Sequence, residues 1–242
     1  MLTQENIKEF INKFQTNERN VVREYVQHLF LANLYRFRDA EKLLFKGGTA
    51  LRFIFSSPRF SEDLDFTGQG ISRHEEVDSI FLDTVAEIEK AGINISYNEA
   101  KPTTGGYLGI IHYELFDLTE DMKFEVSLRK RGKSQGELTT IASELIPPYT
   151  LSYVFSKELV SEKMTALLIR RKPRDYYDLY FMLRNNELNK SVDKSKLKII
   201  LDNLISEKIN FKEELAVLLP ASHHIILKDF KNILTKEIGR YI

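Results

Sequence analysis

The sequence predicts an α/β (α+β) fold whose N-terminal half mixes strands with helices and whose C-terminal half is helical. Two observations predict it. Short apolar runs of strand type, several ended by glycines, alternate with amphipathic segments in the first part of the chain. Beyond Pro147 and Pro148 the apolar residues recur mainly with helical spacing. We therefore expect one domain at 1–150 and a second, helical domain at 151–242.

The elements of the first half follow from local patterns. Apolar residues spaced three to four apart predict helices, and alternating or continuous short apolar runs predict strands. The expected helices cover 4–15, 18–37 and 73–91, and another begins in "TALRFIF". The expected strands are "KLLFKGG", "DLDFTG", "INISYNE", "YLGIIHYEL" and "MKFEVSLRK". Gly105 and Gly106 suit a turn between two of these strands, and Gly68 ends another.

The second half reads as a series of helices joined by short connections. The expected spans are 156–172, 174–185, 194–207, 211–219 and 223–239. Their aliphatic stripes are more typical of a core than of an interface. No internal repeat or low-complexity tract is present.

Composition narrows the class of protein. The chain has 242 residues, a formal net charge of zero and no cysteine. The missing cysteines exclude disulfides and thiolate metal sites. A start of "MLTQENIKEFINKF" is polar and amphipathic, and no long apolar run follows. We expect a cytoplasmic protein that does not enter a membrane.

Two acidic residues stand at alternate positions of a predicted strand. Asp63 and Asp65 would project on one face, while Leu64 and Phe66 point to the other. Two carboxylates this close repel each other unless a cation neutralises them, and oxygen ligands suit Mg²⁺. Glu125, on the strand at 122–130, would complete a cluster of three if the two strands pair. The alternative is an exposed edge strand with no metal.

A glycine pair lies at the end of an earlier strand. Gly47 and Gly48 run into a predicted helix, where unobstructed backbone N–H groups can hold phosphate. The alternative is simply a tight strand-to-helix turn. Together with the nearby aspartates, the pair favours a nucleotide site.

These residues resemble a known signature. Gly47-Gly48, a spacer and then Ser61-Glu62-Asp63-Leu64-Asp65 resembles the motif of the DNA polymerase β-like nucleotidyltransferase superfamily. The fuller wording, "FKGGTALRF" followed by "RFSEDLDF", resembles the AbiEii/AbiGii toxin branch, which includes the MenT-type toxins. The resemblance covers roughly residues 20–185. It implies a polymerase β-like core with a mixed sheet, followed by a C-terminal helical bundle that completes the active site.

One lysine of the second half is predicted to face inward. At about 100° per residue, Lys163 falls within the apolar arc that Leu159, Met164 and Leu167 form, and Arg170 lies on the same side. A lysine in that place needs a partner. It could contact a triphosphate or the acidic cluster, pair with a buried acid, or reach back to solvent.

The toxin branch carries a functional lysine on a helix, followed by an Arg-Asp-x-x-Asp-Leu motif. Lys163 matches the first, and "RDYYDL", residues 174–179, matches the second. The resemblance therefore implies that Asp63, Asp65, Lys163 and Asp175 are catalytic. It implies that the nucleotide is held by Gly47, Gly48, Ser61 and Lys163, and that the metal is held by Asp63 and Asp65. We expect Arg170 to join the nucleotide site by its place on the helix, and Glu125 to join the metal site by its strand placement. Asp175 would either orient Lys163 or act as a base, and Asp178 is an alternative for the essential acid.

The implied activity is a Mg²⁺-dependent transfer of a nucleoside monophosphate from a nucleoside triphosphate (NTP) to an acceptor hydroxyl. Some members of the branch add nucleotides to the 3′ end of tRNA, so tRNA is the expected acceptor and a cognate antitoxin the expected partner. Basic runs at 129–133 and 170–174 could hold RNA or could be solvated element ends. The alternatives are nucleotidylation of a protein or a small molecule such as an antibiotic, and a non-catalytic interaction module.

Overall fold

The computed structural model describes residues 2–129 and 134–242. This part of the chain forms two compact units. The first extends to Ile54 and resumes over Phe60–Val154, and the second combines Phe55–Arg59 with Phe155–Ile242. The first unit thus ends beyond residue 150, and the short segment Phe55–Arg59 belongs to the helical unit although it lies far upstream in the chain.

Two helices open the first unit where the sequence predicts them. Helix α1, Gln4–Phe14, begins at a capping box between Thr3 and Asn6. Helix α2, Glu18–Leu34, begins at Asn17, whose side chain accepts a hydrogen bond from the Asn20 backbone N–H. Most of α2 is buried, including charged residues on its polar side, so it is an interior helix of this unit.

The described residues form a seven-stranded mixed sheet in the first unit. Its strands are β1 (Leu43–Lys46), β2 (Leu64–Gly68), β3 (Asn94–Thr103), β4 (Gly106–Leu115), β5 (Leu118–Ser127), β6 (Gly136–Ile141) and β7 (Tyr149–Val154). They lie in the order β3-β4-β5-β2-β1-β7-β6. Helices α3 (Gly47–Phe55) and α4 (His74–Lys90) complete the unit. The predicted α/β class with a mixed sheet is confirmed.

One face of the sheet carries the hydrophobic core. Phe66 of β2 and Phe124 of β5 lie with ring centroids 4.9 Å apart. Phe30 of α2 and Phe81 of α4 pack on Phe124 at 5.5 and 5.1 Å. Because strand side chains alternate, the residues between these phenylalanines face the other way, and that face is polar.

Strands β6 and β7 were not predicted. Tyr149–Val154 directly follows Pro147 and Pro148, which the sequence analysis took as the domain boundary. Strand β7 pairs in parallel with β1, where Tyr153 lies opposite Phe45. Such a pairing joins segments far apart in the sequence, so local periodicity carries little sign of it.

The second unit is helical, as predicted. Its helices are α5 (Ser156–Arg170), α6 (Pro173–Arg184), α7 (Lys194–Ser206), α8 (Phe211–Leu218), α9 (His224–Leu227) and α10 (Phe230–Ile238). The single helix expected at 223–239 is thus two helices, separated at Lys228 and Asp229. Tyr177, Phe211 and Phe230 pack their rings at 5.0–5.8 Å in its core. Among the described residues, no helix has the length and hydrophobicity needed to cross a bilayer.

Candidate active site

The polar face of the sheet brings charged residues of three strands into one row. Strand β1 is antiparallel to β2, with Lys46 opposite Asp65. Strand β5 is parallel to β2, with Glu125 opposite Asp65. Residues in register across strands share a face. Strand β5 therefore does lie beside β2, the condition on which the sequence analysis placed Glu125 next to the aspartates.

Gly47 lies against the side chain of Asp65. Strand β1 ends at Lys46 and α3 begins at Gly47, whose φ is +84°. A methyl group on Gly47 would come within 2.9 Å of the Asp65 Cβ and even closer to its carboxylate. The glycine pair is therefore a close strand-to-helix turn, and it sets the Asp65 carboxylate beside the first turn of a helix, where backbone N–H groups lack intrahelical partners.

A cavity of about 350 Å³ opens on this polar face. Its polar lining includes Lys46, Asp65, Glu125, Thr103, Ser127 and Arg129. Gly105 and Gly106, at the turn between β3 and β4, form part of its wall. A concave site with converging polar groups of both charges suits a ligand that carries phosphate groups and a cation.

Asp63 lies one residue before β2. Its backbone carbonyl accepts a hydrogen bond of 2.6 Å from the Thr49 hydroxyl, which ties it to α3. Burial and then the Asp65 charge raise the pKa of Asp63 above its ordinary value, while Lys123 acts in the opposite direction. The two aspartates thus interact electrostatically, as expected for a pair that a cation would neutralise.

The backbone before Asp63 is held by α2. The Gln27 side-chain amide donates to the carbonyls of Ser61 and Glu62, at 3.1 Å each. Gln27 is buried, so these bonds fix the loop that carries Ser61 and Asp63. Sequence analysis did not single out Gln27, because a polar residue within a helix gives no sign of what it contacts.

The expected cluster of three carboxylates is not preformed. Within residues 2–129 and 134–242, no three His, Asp or Glu side chains form a group that could hold a metal ion. Glu125 is in register with Asp65, but basic residues lie among the acids: Lys46 is opposite Asp65, and Lys123 acts on Asp63. Asp63 and Asp65 remain as a pair. Mg²⁺ commonly takes one or two carboxylates and completes its shell with water and substrate phosphates, so this pair fits it.

In the second unit, Lys163 has a carboxylate partner. Its Nζ lies 2.8 Å from Oδ2 of Asp178. The inward-facing lysine therefore pairs with a buried acid, one of the readings that its position on α5 left open. The same contact corrects the idea that Asp175 orients Lys163, since Asp178 does so.

Arg59 also binds Asp178. Its Nε donates to Oδ1 at 2.8 Å and its second guanidinium nitrogen donates to Oδ2 at 3.0 Å. Burial would raise the pKa of Asp178, but the charges and hydrogen bonds of Arg59 and Lys163 outweigh it and hold that pKa below its ordinary value. Sequence analysis missed Arg59, although it is the first residue of "RFSEDLDF".

Asp175, the third residue of α6, pairs with Arg170 instead. The guanidinium of Arg170 donates to Oδ1 at 2.7 Å. The other oxygen, Oδ2, is buried and makes no hydrogen bond to the described residues. An unpartnered buried carboxylate oxygen is costly, so Asp175 is less fully paired than Asp178.

The basic run at 170–174 is largely paired. Besides Arg170, Arg171 binds Glu207, and Arg174 lies 3.3 Å from Glu214. The arginines therefore form local ion pairs rather than a patch of uncompensated charge. The other basic run, 129–133, lies outside the described residues except for Arg129, which lines the cavity of the first unit.

Comparisons with known proteins agree on the class of this fold. A family model described as "Nucleotidyl transferase AbiEii toxin, Type IV TA system" matches residues 29–239. The structure of MenT4, a nucleotidyltransferase toxin from Mycobacterium tuberculosis H37Rv, covers 100% of this chain and 90% of its own length, with a TM-score of 0.66 and 18% identity. JHP933 from Helicobacter pylori covers 93% of both chains, with a TM-score of 0.64 and 20% identity. None of the curated proteins matches the sequence.

Proposed function

Because this chain belongs to the AbiEii family of nucleotidyl transferase toxins of type IV toxin–antitoxin systems, we propose that it transfers a nucleoside monophosphate from an NTP to the 3′ end of tRNA. The acceptor oxygen forms a bond to the α-phosphorus, and the bond between that phosphorus and the oxygen bridging to the β-phosphate breaks. Pyrophosphate leaves with the electron pair. The acceptor's proton passes to a base of the protein.

The observation that carries this proposal is the packing of Asp65 on Gly47. The absent Cβ at Gly47 leaves room for a carboxylate at the first turn of α3, and Asp63 lies close enough for its pKa to respond to that carboxylate. A helix start favours phosphate, and paired carboxylates favour a divalent cation. An NTP with its cation combines both groups.

Asp63 and Asp65 are the residues that would hold Mg²⁺. A bound Mg²⁺ would neutralise charge on the triphosphate and on the pyrophosphate that leaves. Glu125 faces the same cavity. It would contact a group bound to the cation, and it is not a third metal ligand already in place. The carboxylates would serve for positioning and charge neutralisation, since phosphoryl transfer needs little covalent chemistry from the protein.

The nucleotide would be held by backbone N–H groups and by side chains. Gly47 and Gly48 offer backbone N–H groups at the start of α3, and Ser61 offers a hydroxyl on the loop that Gln27 fixes. These groups would bind the β- and γ-phosphates. Lys163 would neutralise charge on the triphosphate, as the motif of the toxin branch implies. Arg170, on the same side of the helix by its spacing, would add to that charge.

Asp175 is the proposed base. Asp178 already holds Lys163, so the orienting role does not need Asp175. Its Oδ1 is occupied by Arg170, whereas Oδ2 has a lone pair without a donor among the described residues. That oxygen would accept the proton of the acceptor hydroxyl as the new bond forms.

The acceptor is proposed from the resemblance to toxins that extend tRNA, and the cognate antitoxin from the family description. We expect the reaction in the cytoplasm, where tRNA and NTPs occur together. Labelling a bacterial lysate with each α-³²P-NTP, with and without prior RNase treatment, tests the acceptor. RNase-sensitive label in the tRNA size range supports the proposal. Label that survives RNase but is lost on protease treatment would contradict the proposal and would favour protein nucleotidylation.

A further inference from the structure

A buried ion cluster in the helical unit holds the lysine that the toxin motif identifies. Arg59 contacts both oxygens of Asp178, and Lys163 contacts one of them. The side chains of Arg59 and Asp178 are 4% and 1% exposed, whereas that of Lys163 is 11% exposed. Lys163 is thus the member of the cluster that solvent, or a ligand, reaches most easily.

We propose that Arg59 is a positioning residue, which acts through Asp178 to keep the Lys163 ammonium oriented and available to the triphosphate of the substrate. This inference rests on the proposed nucleotidyltransferase function. Arg59 comes from the segment Phe55–Arg59, which belongs to the helical unit and ends two residues before Ser61 in the chain.

The Arg59 guanidinium binds the Asp178 carboxylate as a two-pronged fork and thereby fixes its orientation. A guanidinium is planar, and its two parallel N–H groups set both the position and the plane of a carboxylate that they bind. The Asp178 oxygens therefore cannot rotate without breaking a bond of 2.8 or 3.0 Å to Arg59. Lys163 has a flexible stem, and it takes its direction from Oδ2 of this fixed group.

The net charge of the cluster suits a bound anion, because two cationic side chains share one carboxylate. A lysine paired alone with an aspartate is electrically neutral. Here Arg59 shares the carboxylate, so these three side chains carry two positive charges against one negative. Asp175 and Glu214 also act favourably on Arg59, but each has an arginine of its own, Arg170 and Arg174, so the excess of one positive charge remains. An excess of positive charge around Lys163 favours a bound anion.

Triphosphate binding provides a test that does not depend on catalysis. Isothermal titration with inorganic tripolyphosphate, with and without Mg²⁺, would compare the wild type with Arg59→Met, Arg59→Lys, Lys163→Met and the Arg59→Met/Lys163→Met double variant. Arg184→Met is the control, because Arg184 forms an ion pair with Glu237 in the same unit and has no place in this cluster. Thermal unfolding of every variant reports whether it folds.

We expect Arg59→Met to weaken tripolyphosphate binding about ten- to hundredfold, the range for losing one charged hydrogen bond. The double variant should bind no more weakly than Lys163→Met alone, because Arg59 acts through Lys163. Arg59→Lys, which keeps the charge but not the fork, should fall between wild type and Arg59→Met. In the transfer reaction, the same variants should raise the KM for NTP more than they lower kcat.

Wild-type affinity in Arg59→Met would overturn the role of Arg59, as would a double variant whose losses add in free energy. If Arg59→Met does not fold, Arg59→Lys decides: unchanged affinity there would show that the fork is not needed. Failure of the wild type to bind tripolyphosphate is a different result, since it would reject the nucleotide site itself along with this inference.

Discussion

Gly47 and Asp65 are packed so closely that the glycine cannot be given a side chain without displacing the aspartate. Gly47 has a φ of +84°, and a Cβ there would lie within 2.9 Å of the Cβ of Asp65. Strand pairing of β1 with β2 enforces this approach, because Lys46 and Asp65 are opposite each other. The motif glycine and the motif aspartate thus depend on each other for their positions.

Gly47→Ala should therefore damage both stability and activity. The left-handed backbone alone costs an L-residue about 1–2 kcal/mol, and the overlap with Asp65 adds to that cost. Gly70→Ala is the matched control, because Gly70 also has a positive φ, +69°, but open space around it. Urea unfolding should show a larger loss for Gly47→Ala, and nucleotide transfer should fall only in that variant. Equal losses in both variants would mean that the approach to Asp65 has no consequence.

Asp63→Asn should stabilise the protein at pH 7 while it abolishes transfer. The substitution removes a charge that burial and Asp65 both disfavour, and stabilising changes at functional sites commonly gain about 0.5–2 kcal/mol. Thermal unfolding without added metal would measure the gain. A variant less stable than wild type at pH 7 would contradict the idea that the pair is strained.

The pH dependence of that gain has a defined sign. Because the folded-state pKa of Asp63 lies above its unfolded value, the folded state binds more protons between the two values. Wild-type stability therefore rises, relative to Asp63→Asn, as the pH falls through the folded pKa towards the unfolded one. The difference between the two proteins should be largest near neutral pH and should shrink in acid.

Asp178→Asn should destabilise the helical unit strongly. It leaves Arg59 and Lys163 buried without their shared negative charge, and breaking a buried ion cluster costs about 3–5 kcal/mol. Since the pKa of Asp178 is held low in the folded state, this stabilisation is present above the unfolded pKa and is lost as the pH falls through the folded one. Urea unfolding at pH 7 measures the effect.

Asp175→Asn serves as the control for that experiment. Asp175 lies in the same helix and is also buried, but one of its oxygens has no donor within the described residues, and its partner Arg170 is exposed. We expect a smaller loss of stability and a complete loss of transfer. A stability loss equal to that of Asp178→Asn would contradict the separation of the two roles.

The sequence predicts best what is local. Most helices of both units and the strand that carries Asp65 follow from spacing and from glycines. The pairing of β5 with β2 could be stated only as a condition, because register across strands is set by tertiary packing rather than by either strand alone. Strand β7 was missed for the same reason, since its partner β1 lies more distant in the chain.

The ion-pair partners of the charged residues could not be predicted from the sequence either. The helical arc of α5 showed that Lys163 faces inward, but not which acid it meets, and both Asp175 and Asp178 share the next helix. The choice between them depends on how α5 packs on α6. Arg59 begins the quoted stretch "RFSEDLDF", but a single arginine in a loop has no periodic pattern that would mark it as buried.

Transfer to tRNA is best tested by incubating the purified protein with total bacterial tRNA, Mg²⁺ and each of the four α-labelled nucleoside triphosphates in turn. The matched control is Asp65→Ala, which keeps the strand but removes the carboxylate beside Gly47. We expect label at the tRNA 3′ end with the wild type, from at least one nucleotide, and none with the variant. No labelled tRNA with any of the four, or equal labelling by Asp65→Ala, would contradict it.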